Sequence, residues 1–207
     1  MKKQMKLPKL VSGPKELIPM SWQKTMLGAK FKNSPKGKPY DYSVFHSPSI
    51  CQVVLPLTTK GEVVVCRQFR YGIAINNSIG PVYDPSVLEL PAGGPEKSES
   101  YETAAQKELL EETGWKPRQM IRLATIIWFD PASTTLRFVP WLAIGCQKIA
   151  KHHHDSTESI QVQTISWKKW LKLIEDGDVT TSHSIVTTML ASIMIESGKL
   201  DRLKFTR

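Results

Sequence analysis

Cysteine is scarce in this 207-residue chain. The three present, Cys51, Cys66 and Cys146, are odd in number, widely spaced and free of any C-x-x-C or Cys/His pattern, which argues against a disulfide framework and a cysteine zinc site. They read as reduced structural residues. Long apolar runs are lacking too: no stretch reaches the roughly 18 residues that a membrane-spanning helix needs. The opening MKKQMKLPKLVSGPKELIPM has lysines but no continuous apolar segment of the signal-peptide kind. A cytoplasmic protein with no membrane partner is expected.

Arginine and acid are also missing from the start. Residues 1–40 hold ten Lys, no Arg and one Glu, whereas the rest balances eighteen basic against eighteen acidic side chains, so the net +9 lies in an N-terminal arm. With no aromatic or Arg-rich pattern accompanying the lysines, the arm reads as a solvated, partly mobile terminus. Nucleic acid is an allowed partner for it, though not the favoured one.

What remains is 41% hydrophobic, enough for one substantial core. Early strands are expected near WQKTMLGAKF and YSVFHS, with a turn over 34–42. The β-branched runs ICQVVLPLT and EVVVCRQFRY, separated by Thr59, Lys60 and Gly61, predict a hairpin. Residues 72–87 show no period and read as a loop before a short VLELPAG strand. Further strands are expected near MIRLATIIWF, LRFVPWLAIGCQ and SIQVQTIS. WKKWLKLIEDG and HSIVTTMLASIMIESG predict amphipathic helices from apolar residues at three and four residue spacing. Strands, helix, strands, helices is an α/β order with helices on both sides of a mixed sheet.

The chemistry concentrates in ELPAGGPEKSESYETAAQKELLEETGW, Glu89 to Trp115. Glu108, Glu111 and Glu112 crowd the C-terminal part of a short helix, where the helix dipole and mutual repulsion each cost about 0.3–1 kcal/mol. At i, i+3 and i+4 they share a face and can converge on a divalent cation. Ala104, Ala105 and Leu109 point elsewhere and can pack, and Gly114 stands where a helix ends in the left-handed conformation.

Gly93, five residues, Glu99, seven residues, then Lys107-Glu108-Leu109-Leu110-Glu111-Glu112-Thr113-Gly114-Trp115 resembles the Nudix hydrolase signature, with Lys107 in place of its Arg. The resemblance implies a Nudix-type α/β/α sandwich with a mixed central sheet and an additional N-terminal β region. It divides the chain into a basic arm with early strands over 1–48 and a Nudix hydrolase domain over 49–207. It implies Mg²⁺ or Mn²⁺ held by Glu108 and Glu112, with Glu111 sharing and the Ala92 carbonyl contributing. Gly93, Glu99, Lys107 and Gly114 would support the site, Glu99 bracing Lys107. Lysine supplies the charge of Arg without its bidentate fork.

VVVCRQFRYG, LELPAGG, Pro131 and the C-terminal tail are similar to the ADP-ribose and nucleoside diphosphate sugar pyrophosphatase branch. That likeness implies substrate binding by Arg70 and Glu89, catalysis by Glu111, Glu112 and Glu158, and a homodimer. Arg67, three residues from Arg70, is expected on the other face of its strand. His152, His153 and His154 read as an exposed polar loop rather than a second metal site. The implied activity is metal-dependent hydrolysis of a nucleoside diphosphate sugar to a nucleoside monophosphate and a sugar phosphate. Hydrolysis of RNA 5′ ends or dinucleoside polyphosphates, and a silent nucleotide-sensing module, are the alternatives.

Overall fold

The computed structural model describes residues 9–19, 24–32, 36–151 and 160–198, so Trp22, His152, His153, His154, Asp155 and Glu158 lie outside the described residues. The chain forms two compact units, one of residues up to Ile50 with Trp128–Arg137, the other of Cys51–Ile127 with Phe138 onward.

The first unit is a three-stranded antiparallel sheet of β1 (Lys9–Pro19), β2 (Thr25–Lys32) and β3 (Tyr40–His46) in that order. Part of the supposed basic arm is thus a strand. Its Gly-Pro step and scattered lysines hid the pattern, and register shifts near Ser12, Lys15 and Ile18 absorb the irregularity. Phe45 of β3 exchanges backbone hydrogen bonds of 2.9 Å with Ser133 and Thr135, whose own turn is organised by the Asp130 carboxylate. Hydrogen bonds from the Ser133 hydroxyl and the Ala132 N–H hold that carboxyl below its ordinary range.

The second unit grows from β4 (Cys51–Thr58) and β5 (Glu62–Phe69), joined as the expected hairpin at Leu57 and Val63. Next comes α1 (Tyr71–Asn76), a six-residue helix in the stretch expected to be loop, and then β6 (Ser86–Glu89) and β7 (Ala92–Gly93). The helix escapes a periodicity search because it is short and buries no residue. After α2 (Tyr101–Thr113) come β8 (Trp115–Lys116), β9 (Gln119–Arg122) and β10 (Ile127–Trp128), the last two replacing one expected strand with two short ones. β11 (Arg137–Lys148), β12 (Ile160–Ser166), α3 (Trp167–Glu175) and α4 (Ser182–Glu196) finish the described chain.

The sheet is mixed: β11 runs parallel to β4, β12 antiparallel to β5, and the spine is ordered β11-β4-β5-β12. Val53, Val54, Leu55, Val64, Leu109 and Leu142 are wholly buried in its core. Trp170 of α3 is buried too and donates its indole N–H to Thr188 of α4 at 2.9 Å. The inward face of α4 is Ser184, Thr187, Thr188, Ala191 and Ser192, while Met189 and Ile193 are exposed, the reverse of the amphipathic expectation. Small side chains let the helix approach closely, and the Thr188 and Ser192 hydroxyls satisfy themselves on carbonyls one turn back.

One topological feature positions the site. Beyond Leu57 and Val63 the hairpin forks: β6 pairs with β5, with Cys66 opposite Glu89, while β7 pairs with β4, with Val53 opposite Ala92. The Val54 N–H donates to the Pro91 carbonyl at 3.0 Å between them. Residues 86–93 therefore wedge into the sheet, with Glu89 on one prong and Ala92–Gly93 on the other.

Candidate active site

Helix α2 is delimited by local chemistry. Its N-cap Ser100 accepts the Thr103 N–H at 3.1 Å, and Gly114 closes it at φ 76° with its N–H on Leu110 at 2.7 Å. The buried face is Ala104, Ala105, Leu109, Glu112 and Thr113, packed on β4 and β7. Two alanines in that face allow a close approach, which brings the following helical turn within reach of the wedge.

There the carboxylates meet backbone. Glu112 is buried, and its Oε2 accepts the Ala92 N–H at 3.0 Å. Glu108, one turn earlier, lies so close to Gly93 that a β-carbon at that position would run into its carboxylate. Glu111 is exposed. Glu108 and Glu112 thus lie on the side of the helix that faces β7, and Glu111 on a side open to solvent. Among the described residues no three His, Cys, Asp or Glu side chains are gathered to hold a metal by themselves. Two carboxylates beside open backbone nevertheless suit Mg²⁺, which retains waters and takes other ligands from substrate oxygens. Glu108 and Glu112, both against β7, are the residues that would hold Mg²⁺ or Mn²⁺.

The other prong carries charge of both signs. Glu89 is wholly buried, and its Oε1 lies 2.5 Å from the Arg70 guanidinium, whose side chain is 38% exposed. Its Oε2 lies 3.6 Å from Nε2 of His183 in the first turn of α4. Sequence reasoning missed His183. The i-to-i+94 contact has no local signature, and apolar spacing within the helix does not reveal it. Arg67 donates instead to the Ser86 carbonyl at 2.9 Å and lines a cavity of about 980 Å³ with Asn76, Tyr83 and Lys169. That cavity contains none of the α2 glutamates. Strand alternation thus separates Arg67 from Arg70 as expected.

Lys107 forms its ion pair with Glu96 rather than Glu99. Glu99 accepts the Glu96 N–H at 2.9 Å and so shapes the turn that presents Lys107's partner. The Glu96 hydrogen bond raises the Lys107 pKa, and the same bond lowers that of Glu96. Cys51, opening β4, records the field of the whole site. Burial, then the charges of Glu112 and Glu108, push its thiol up to about 12, with Arg70 opposing and Glu89 adding.

The chain belongs to the Nudix family: the NUDIX domain model matches residues 49–178, most of the second unit. It is therefore a Nudix hydrolase, a pyrophosphatase by class. It is 27% identical over 146 residues to the ADP-ribose pyrophosphatase of Bacillus subtilis (strain 168), covering 70% of this chain and 72% of that protein. Among solved structures, an ADP compounds hydrolase matches with a TM-score of 0.77 over 95% of this chain and 98% of that one, at 15% identity, a likeness of fold. No helix among the described residues is long and apolar enough to cross a membrane.

Proposed function

We propose that the protein hydrolyses the diphosphate bond of ADP-ribose or a related nucleoside diphosphate sugar, releasing a nucleoside monophosphate and a sugar phosphate. The observation that carries this reading is the fork itself, which sets the Glu108–Glu112 pair on one prong and the Arg70–Glu89 ion pair on the other. The name of the 27%-identical relative supports the ADP-ribose assignment.

The division of roles follows from the chemistry of the groups. Arg70 has five N–H donors, and those that Glu89 does not occupy can take diphosphate oxygens. Glu112, fixed by the Ala92 N–H, and Glu108, against Gly93, present negative charge where a divalent cation would neutralise diphosphate oxygens and acidify a water that attacks phosphorus. A water attacking phosphorus would give up its proton to a carboxylate as its oxygen bonds to phosphorus, and the leaving phosphate would take the electrons of the broken P–O bond. Glu111, which is exposed, Glu112 and Glu158 are the candidates for the proton acceptor.

The N-terminal sheet supports the homodimer reading, since Leu10, Val11, Leu17 and Ile18 are all exposed on β1. Release of AMP from ADP-ribose, assayed beside UDP-glucose, a dinucleoside polyphosphate and 5′-triphosphorylated RNA with Mg²⁺, Mn²⁺ or EDTA, tests the activity. Cation-dependent turnover of the sugar nucleotides is expected. Turnover of RNA or polyphosphate alone would overturn the substrate assignment.

A further inference from the structure

The matched family segment ends at residue 178, yet α4, which starts at Ser182, reaches the substrate side of the site. Its first turn is pinned there at several points. The Ser184 hydroxyl accepts the Leu90 N–H at 3.0 Å and the Thr181 hydroxyl at 2.8 Å. His183 sits between them, its side chain 14% exposed, with the Phe138 ring 6.5 Å away and tilted 70°. Its Nε2 lies 3.6 Å from Glu89 Oε2, while Arg70 takes Oε1.

This arrangement gives a buried carboxylate one neighbour on each oxygen. Arg70 is the more exposed of the two: its long side chain is partly solvated and stands just past the end of β5, whereas the His183 ring lies mostly buried in the first turn of α4. A carboxylate free to rotate would let the guanidinium swing. With the His183 ring 3.6 Å from its second oxygen, a contact longer than a hydrogen bond, the carboxylate has less room to turn and the guanidinium fewer directions to take.

We infer that His183 is a positioning residue: it fixes Glu89, and through Glu89 it aims Arg70 at the substrate diphosphate. The inference rests on the reading of Arg70 as a substrate-binding residue. It assigns to the C-terminal helix a part in recognition that the Nudix motif does not encode. A histidine that merely fills space beside Phe138 would affect folding and leave substrate affinity alone.

The test is a double-mutant cycle between His183→Phe and Arg70→Ala, read as KM and kcat for ADP-ribose and as ADP-ribose affinity by calorimetry in EDTA. His183→Phe should raise KM on the order of tenfold with kcat within about twofold, since binding common to ground and transition states is what is lost. His183→Gln, which places an amide N–H near the Nε2 position, should recover most of the affinity. The double variant should be no weaker than Arg70→Ala, because the two act through one contact. If His183→Phe melts below the assay temperature, His183→Ala runs the same cycle. A wild type that turns over ADP-ribose while the two effects add, or while His183→Phe binds normally, would overturn the role of His183 and leave the proposed function standing. A wild type that neither binds nor hydrolyses a sugar nucleotide would overturn both.

Discussion

Glu112 and Glu89 are both buried acids, one against each prong of the wedge, yet the chain treats them in opposite ways. Glu112 is given a like-charged neighbour, Glu108, one helical turn away, and a backbone N–H at 3.0 Å. Glu89 is given an arginine at 2.5 Å and a histidine at 3.6 Å. Gathering carboxylates raises the local negative charge and invites a bound cation, whereas surrounding one with basic groups settles its charge within the protein. On the proposed function, the first prong would serve the chemistry on the diphosphate and the second the holding of the ligand.

Breaking the first prong should give the largest effect. Glu112→Gln keeps an acceptor for the Ala92 N–H but removes the charge, and is expected to lower kcat for AMP release on the order of 10³-fold with little change in melting temperature. Gly93→Ala displaces the Glu108 carboxylate without touching any charge, and should cost about 10²-fold in the same assay, the usual penalty of misplacing a catalytic group. Breaking the second prong should act mainly on KM. Glu89→Gln is expected to raise KM about tenfold, and urea unfolding should show a loss of about 1–2 kcal/mol, less than for a fully buried pair because Arg70 is 38% exposed.

The smallest effect is expected at the Lys107–Glu96 pair on the exposed edge of α2. Lys107 holds the Glu96 carboxyl below its ordinary value of 4.5. The pair's contribution is therefore present above that value and lost as pH falls through the lowered one. Urea midpoints of wild type and Lys107→Met should differ slightly at neutral pH and converge in acid.

The same contrast explains what could be read from the sequence. Much of α2 was legible: the Gly114 stop, the packing positions Ala104, Ala105 and Leu109, and the spacing of Glu108 and Glu112 are properties of a single helix and its end. The hairpin and the long strands were legible for the same reason. Glu111's exposure was not, because it depends on which side of the helix β7 covers. Lys107 finding Glu96 instead of Glu99 depends on a turn that Glu99 itself shapes. His183 required knowing that α4 docks on Leu90, and β1 was concealed by a Gly-Pro step that bulges accommodate. Contacts within one element have a period, and contacts across the fork have none.

The most direct test of the division between the prongs is a pair of Michaelis curves for AMP release from ADP-ribose with Mg²⁺, one for Glu112→Gln and one for Arg70→Ala. The account predicts a collapse of kcat in the first and a rise of KM with kcat largely retained in the second. Equal losses of kcat in both, or turnover by Glu112→Gln at the wild-type rate, would contradict it.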